Sequence, residues 1–225
     1  MIVNLIVCFI AYLIAQYIIS RRSSKDNSLS LPTGNVLIFD TETNGLPQNW
    51  KAQYDDVNNW PRMVSLAWYC IKPTGEIIDS GYTIIRPESY TINNSTSIHG
   101  ITNVQASTSG NDLHSTLESF IKQVNGCKYL IAHNIEFDFA VIYSECLRKK
   151  VDPMNLKTIK KVCTMKQSTE FCKLPGKRGF KYPSLTELYR KLFAETLNNT
   201  HNAKADAEAC MLCFKELYNR KVITF

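Results

Sequence analysis

The chain has no internal repeat and no low-complexity tract, so neither a solenoid nor a compositionally biased segment accounts for it. It lacks the length for two domains of ordinary size, and residues 34–225 fill one core. There is no cysteine framework of the secreted type: eight cysteines are scattered, one of them, Cys8, in an apolar run. A reducing compartment fits that usage. Cys210 and Cys213 have no second pair at zinc spacing and sit beside Met211, Leu212 and Phe214, so they read as core packing in a helix. The N-terminus lacks a basic leading region and a small-x-small cleavage site, which counts against a cleaved signal peptide.

What the N-terminus does have is an uncharged run from Ile2 to Ile19, followed by Arg21, Arg22 and Lys25. As a helix that run spans roughly 27 Å, close to the hydrocarbon thickness of a bilayer. The expectation is a transmembrane anchor over residues 1–20, with the positive flank holding the downstream domain on the cytosolic side. A buried core helix is the rival reading. Residues 21–33, rich in Ser, Lys, Arg, Asp and Asn, read as a flexible linker.

Carboxylates cluster in three separate blocks. In the first, the apolar run Val36-Leu37-Ile38-Phe39 leads into Asp40-Thr41-Glu42 and stops at Asn44-Gly45. This reads as a buried strand ending in acids. Residues at i and i+2 of a strand share a face, with Cα atoms roughly 7 Å apart, so Asp40 and Glu42 are placed to grip one hard cation. A surface Asp and Glu at a strand end is the bland alternative. The second block, His133-Asn134-Ile135-Glu136-Phe137-Asp138, joins the short apolar run Tyr129–Ala132 to a helical pattern. Asp138 there is equally consistent with compensation of a helix dipole, and His133 and Asn134 with turn chemistry. The third block, His201 to Asp206, opens a helix whose early alanines allow close packing. That brings Asp206 toward the strand of Asp40, with His201 leaning over from outside the helix.

In these blocks the chain resembles the DEDDh exonucleases, the DnaQ-like, polymerase III epsilon-type superfamily of 3′-to-5′ exonucleases. The resemblance covers most of residues 34–220. Phe39 to Leu46 is close to the family's FDTETTGL, Ile98 to Thr102 matches its IHGIT element, and His201 to Asp206 keeps its H-x4-D spacing. Asn59 to Val64, with the longer insert before it, is similar to one branch. Asn44 replaces a common Thr, a conservative departure.

The resemblance implies an α/β, RNase H-like mixed sheet flanked by helices, here preceded by the hydrophobic N-terminal helix. It implies that Asp40, Glu42 and Asp206 hold the metal that binds the attacking water, and that Asp40 and Asp138 hold a second, Asp138 through water. His201 is then the general base, which needs its neutral form, so activity falls as pH drops below its pKa. Leu46 is expected to pack on the terminal base, with Asn134 and His99 positioning that nucleotide. The expected cofactors are two divalent ions, Mg²⁺ or Mn²⁺, since such a pair about 4 Å apart supplies both a nucleophile at neutral pH and charge on the leaving oxygen. Oxygen-only ligands suit those hard cations better than zinc.

The activity expected is 3′-to-5′ hydrolysis of nucleic acid with a free 3′ end, DNA before RNA, releasing nucleoside 5′-monophosphates. An RNA-trimming enzyme of the same chemistry, or a non-cleaving nucleic-acid-binding module on a membrane, are the alternatives. Neither a polymerase partner nor a homo-oligomer is indicated by the residues.

Charge distribution bears on the same point. Cys146 to Lys181 carries eleven Lys or Arg against Asp152 and Glu170, while the whole chain is only +6. A basic segment interleaved with Phe171, Phe180 and Tyr182 can track a polyanion, although a solvated lysine-rich surface has the same composition. Its centre, Pro175 to Gly179, reads as a mobile loop. Along the domain, strands are expected near Val36–Asp40, Met63–Ile71, Ile77–Ile85 and Tyr129–Ala132. Helices are expected near Asp112–Val124, Phe137–Lys149, Ser184–Phe193 and Ala203–Asn219.

Overall fold

Five strands form one mixed sheet in the computed structural model, which describes residues 31–92, 95–197 and 200–225. They are β1 (Val36–Thr43), β2 (Met63–Ile71), β3 (Ile77–Ile84), β4 (Tyr129–Ala132) and β5 (Lys160–Cys163), in the order β3-β2-β1-β4-β5. β1, β2 and β3 pair antiparallel, while β4 and β5 continue the sheet parallel to β1. The helices are α1 (Thr96–His99), α2 (Asn103–Ser109), α3 (Leu113–Asn125), α4 (Ile135–Lys149), α5 (Met154–Thr158), α6 (Thr164–Gln167), α7 (Thr169–Cys172), α8 (Leu185–Phe193) and α9 (Ala203–Asn219). A two-stranded hairpin, β6 (Pro175–Gly176) and β7 (Gly179–Phe180), stands apart from the main sheet.

Burial follows position in the sheet. β2, flanked by strands on both sides and covered on both faces, is buried at every residue, the near-continuous apolar pattern of a doubly covered strand. β3 lies at one edge and is half exposed. On one face Leu37 and Phe39 meet α3, whose Leu113, Leu117, Phe120 and Val124 recur at helical spacing, together with Val141 and Ile142 of α4. Phe39 and Phe120 stack with ring centroids 5.4 Å apart. On the other face α9 packs against β1 and β2, its Ala203, Ala207 and Ala209 buried. Cys210 and Cys213 are also buried there, as core packing requires. The four expected strands and four longer helices are all present within a residue or two of their expected ends, apart from the C-terminal end of β1, which runs on to Thr43.

β5 was not expected. Two of its four residues are lysines, and an edge strand with lysines reads as loop from sequence while serving to blunt the sheet edge. The Pro175 to Gly179 stretch, expected as a mobile loop, folds as the β6–β7 hairpin, with Gly179 at φ +92° supplying the left-handed turn residue. The expected N-terminal hydrophobic helix lies outside the described residues, as does the linker up to residue 30. Leu31 is buried and donates its backbone N–H to the Pro73 carbonyl at 2.7 Å. Among the described residues no helix is long and apolar enough to cross a membrane.

The insert between β1 and β2 is clamped onto α4. Glu145, fully buried, accepts from the Arg62 Nε at 2.8 Å, the Met63 backbone N–H at 3.0 Å and the Arg148 Nη1 at 3.2 Å. Arg148 also donates to the carbonyls of Val57 and Trp60. Tyr54 adds an edge contact with the Tyr143 ring at 4.7 Å. One helix therefore carries Asp138 in its first turn and the anchor of the insert in its last turns.

Candidate active site

The carboxylates meet at the far end of β1, where the sheet changes from antiparallel to parallel pairing. Such switch points leave a crevice beyond the strand ends. Strand alternation turns Asp40 and Glu42 toward the α9 face and Thr41 toward α4. The first turn of α9 brings in Asp206, and Asp40, Glu42 and Asp206 each offer an oxygen within 4.8 Å of the others. Asn202 caps this helix, accepting from the backbone N–H groups of Lys204 and Ala205. His201 lies outside the helix at φ +64°, and its backbone N–H donates to Asp206 Oδ2 at 2.8 Å, which fixes the carboxylate's rotamer.

Asp138 enters from the opposite side of the strand. Its Oδ1 accepts from both the backbone N–H of Thr41 at 3.0 Å and the Thr41 hydroxyl at 2.8 Å. That pair leaves Asp138 outside the three-carboxylate cluster but in the same cleft, of about 500 Å³, with Asp40, Glu42, Asn134, His201 and Asp206. Thr41 was not singled out from sequence, and its only signal was its place between two acids on a strand.

Crowded acids in a half-buried cleft resist ionisation. Burial is the first cause of a raised Asp40 pKa, followed by the charges of Asp138, Asp206 and Glu42. Glu42 is pushed up to about 8 by burial and then by Asp206 and Asp138. Asp138 rises to about 7 through burial, opposed by the two Thr41 hydrogen bonds. Asp206 is also raised by burial, against the His201 N–H. Four acids that all resist ionisation, with no Lys or Arg among the residues lining the cleft, make a donor set that a divalent cation satisfies. Their oxygen-only chemistry fits Mg²⁺ or Mn²⁺.

Asn134 stands at φ +74° and ψ +46° with no side-chain cap, a left-handed conformation that Asn tolerates better than most residues. Its side chain is thereby spared for the cleft. Leu46 and His99 lie in an adjoining hollow of about 560 Å³ that shares Thr41, Glu42 and Phe137 with the first. Leu46 is 71% exposed, a large apolar side chain left in solvent at the cleft edge. His99 accepts the Ile101 N–H on Nδ1 at 3.0 Å, so its proton is on Nε2, which faces Thr43 without reaching good hydrogen-bonding geometry. Burial lowers its pKa and keeps it neutral.

Two further lining residues, Phe137 and His133, have roles that their sequence context does not show. Phe137, one residue before Asp138, forms the wall common to both hollows and packs on Trp50 with centroids 5.7 Å apart. His133, expected as a turn residue, is half-buried and tied into the fold: its ring bridges Thr164 Oγ1 and the Pro183 carbonyl, both at 3.0 Å, and desolvation lowers its pKa to about 4. It ties the loop before α8 to β4, so that Ser184 and Thr186 line the cleft.

The exonuclease family model of the RNase T type matches residues 37–214, which spans every one of these groups. The chain belongs to this exonuclease family. That placement makes it a hydrolase of the DEDDh type. No curated protein matches the chain.

Among solved structures, this exonuclease chain is similar to Escherichia coli exonuclease I in complex with a 5cy-dA13 oligonucleotide, with 17% identity, a TM-score of 0.65, and coverage of 83% of this chain and 41% of that one. The same enzyme with a dT13 oligonucleotide gives 18% identity and a TM-score of 0.67 over 84% and 42%. Its zinc-bound complex with single-stranded DNA gives 18% and 0.65 over 84% and 41%. At these identities the likeness is one of fold, and the exonuclease chain spans about two-fifths of the length of those structures.

Proposed function

We propose that the protein is a metal-dependent 3′-to-5′ exonuclease that removes nucleoside 5′-monophosphates, from DNA in the first instance. The convergence of Asp40, Glu42 and Asp206 within 4.8 Å of one another carries this reading. Asp40, Glu42, Asp138 and Asp206 would hold two divalent ions, which when bound neutralise phosphodiester charge and acidify water. His201, on the exposed rim, takes the proton released as water attacks. The Asp206 carboxylate, held by the His201 backbone N–H, keeps that rim and the acid cluster in register. Leu46 packs on the terminal base, while Asn134 and the segment that His99 anchors position the last nucleotide.

With Mg²⁺ and 5′-labelled single-stranded DNA and RNA side by side, the expected product is a ladder shortening from the 3′ end, with DNA cut faster. His201→Ala is expected to slow it about 10²–10⁴-fold. Shortening from the 5′ end refutes the stated direction, and an unchanged His201→Ala rate removes that residue as the base.

The uncharged run from Ile2 to Ile19 with its positive flank supports a further part of the reading, that residues 1–20 anchor the domain to a membrane with the catalytic side in the cytosol. Carbonate extraction of the full-length protein is expected to leave it in the membrane pellet. Release into the soluble fraction refutes the anchor.

A further inference from the structure

We propose that the β6–β7 hairpin is a guide for single-stranded nucleic acid, binding the nucleotides just upstream of the one being removed. This rests on the exonuclease reading above and names the form of its substrate. The eleven cations between Cys146 and Lys181 are not one basic tract. Arg148, Lys149, Lys166 and Lys181 are each paired with an acid, namely Glu145, Glu88, Glu136 and Glu187. Lys157, Lys160 and Lys161 lie over the rings of Tyr143, Tyr129 and Phe139. Lys150, Lys173, Lys177 and Arg178 meet neither an acid nor a ring among the described residues. Two of those four, Lys177 and Arg178, form the exposed tip of the hairpin.

The returning arm adds the second element. Phe180 and Tyr182 are 43% and 56% exposed, and their spacing of two in an extended segment gives them one face. Lys181 between them turns the other way, to Glu187 at 2.6 Å. Exposed rings beside unpaired cations are what an unpaired strand needs: faces on which bases stack and charges that follow its phosphates. A duplex has no free base faces to offer them.

The arm is also aimed. Its backbone closes through the Lys181 N–H on the Leu174 carbonyl at 2.9 Å, Pro183 is held by His133, and Ser184 already lines the acidic cleft. Phe180 to Ser184 spans at most about 14 Å, so the rings sit within a few nucleotides of the cluster. An acidic cleft repels an incoming strand, and the hairpin supplies the adjacent attraction.

The test uses the full chain and two double variants, Lys177→Gln with Arg178→Gln, and Phe180→Ala with Tyr182→Ala. Fluorescence anisotropy with a labelled 20-mer of oligothymidylate, in Ca²⁺, reads binding whether or not cleavage occurs. Both variants are expected to bind about 10–100-fold more weakly, and the charge variant is expected to reduce the salt slope by about 1.4. Binding of a blunt duplex is expected to be unaffected in the aromatic variant. Turnover of the p-nitrophenyl ester of thymidine 5′-monophosphate, which reaches only the terminal site, is expected to stay at the parent level in both.

Unchanged oligothymidylate binding in both variants overturns the guide. Equal losses on the duplex overturn the preference for single strands. A parent protein that binds the 20-mer through the hairpin yet cleaves neither probe leaves the guide standing and refutes the exonuclease reading instead.

Discussion

Asp206→Ala is expected to lower exonuclease turnover by about 10³-fold or more while making the metal-free protein more stable above pH 8. The two effects have one origin. Asp40, Glu42, Asp138 and Asp206 are all held above their ordinary range by burial, and the first three also by the charge of Asp206. The folded state therefore binds these protons more tightly than the unfolded chain. The stability these protons contribute is fully present near pH 4, and is lost as pH rises through about 7, for Asp138, and about 8, for Glu42. Removing Asp206 takes a negative charge out of that group. The expected gain at pH 8.5 is about 1 kcal/mol after allowance for solvent screening, or roughly 2–4 °C in Tm, with little gain at pH 4.5. Mg²⁺ is expected to raise the Tm of the parent at pH 8.5 and to raise that of Asp206→Ala less. Melting curves at the two pH values, with and without Mg²⁺, check all of this. A Tm lowered at pH 8.5 would mean that Asp206 is chiefly structural.

Glu145→Ala is expected to destabilise the fold by about 3–5 kcal/mol, because it strands two partly buried guanidinium groups and an unsatisfied Met63 N–H. In a domain of this size that lowers Tm by roughly 10 °C. Glu145→Gln keeps an acceptor for the Met63 N–H and is expected to cost less. Urea denaturation of the three proteins measures the order, and cleavage of the insert over residues 44–62 by a broad protease is expected to accelerate in the same order. A loss below about 1 kcal/mol for the alanine variant would show the clamp to be no stronger than a surface ion pair.

The carboxylate strand and the last helix were legible because their signals are local. An apolar run ending in Asp-Thr-Glu defines both the strand and the face its acids share, and alanines at the head of α9 announce close packing. β5 was not legible, since Lys160 and Lys161 belong to an edge whose partner lies thirty-odd residues away in β4. Nor was the Glu145 clamp: among neighbours such as Arg148 and Lys149, a glutamate in a helix looks solvated, and only the folded insert buries it. Thr41 and His133 fall in the same class, because each acts through a partner distant in sequence, Asp138 and Pro183 respectively. The acid cluster itself was readable as residue types, but its closeness depends on three elements meeting.

That dependence makes the site a late event in the life of the polypeptide. Asp40 and Glu42 come together as soon as β1 is extended, whereas Asp138 arrives with α4 and Asp206 only with α9, the last helix of the domain. A nascent chain that has not yet released α9 from the ribosome carries an incomplete set of ligands, whatever its other strands have done. The domain is thus unable to attack nucleic acid around the ribosome that is making it until α9 has emerged and docked on the sheet.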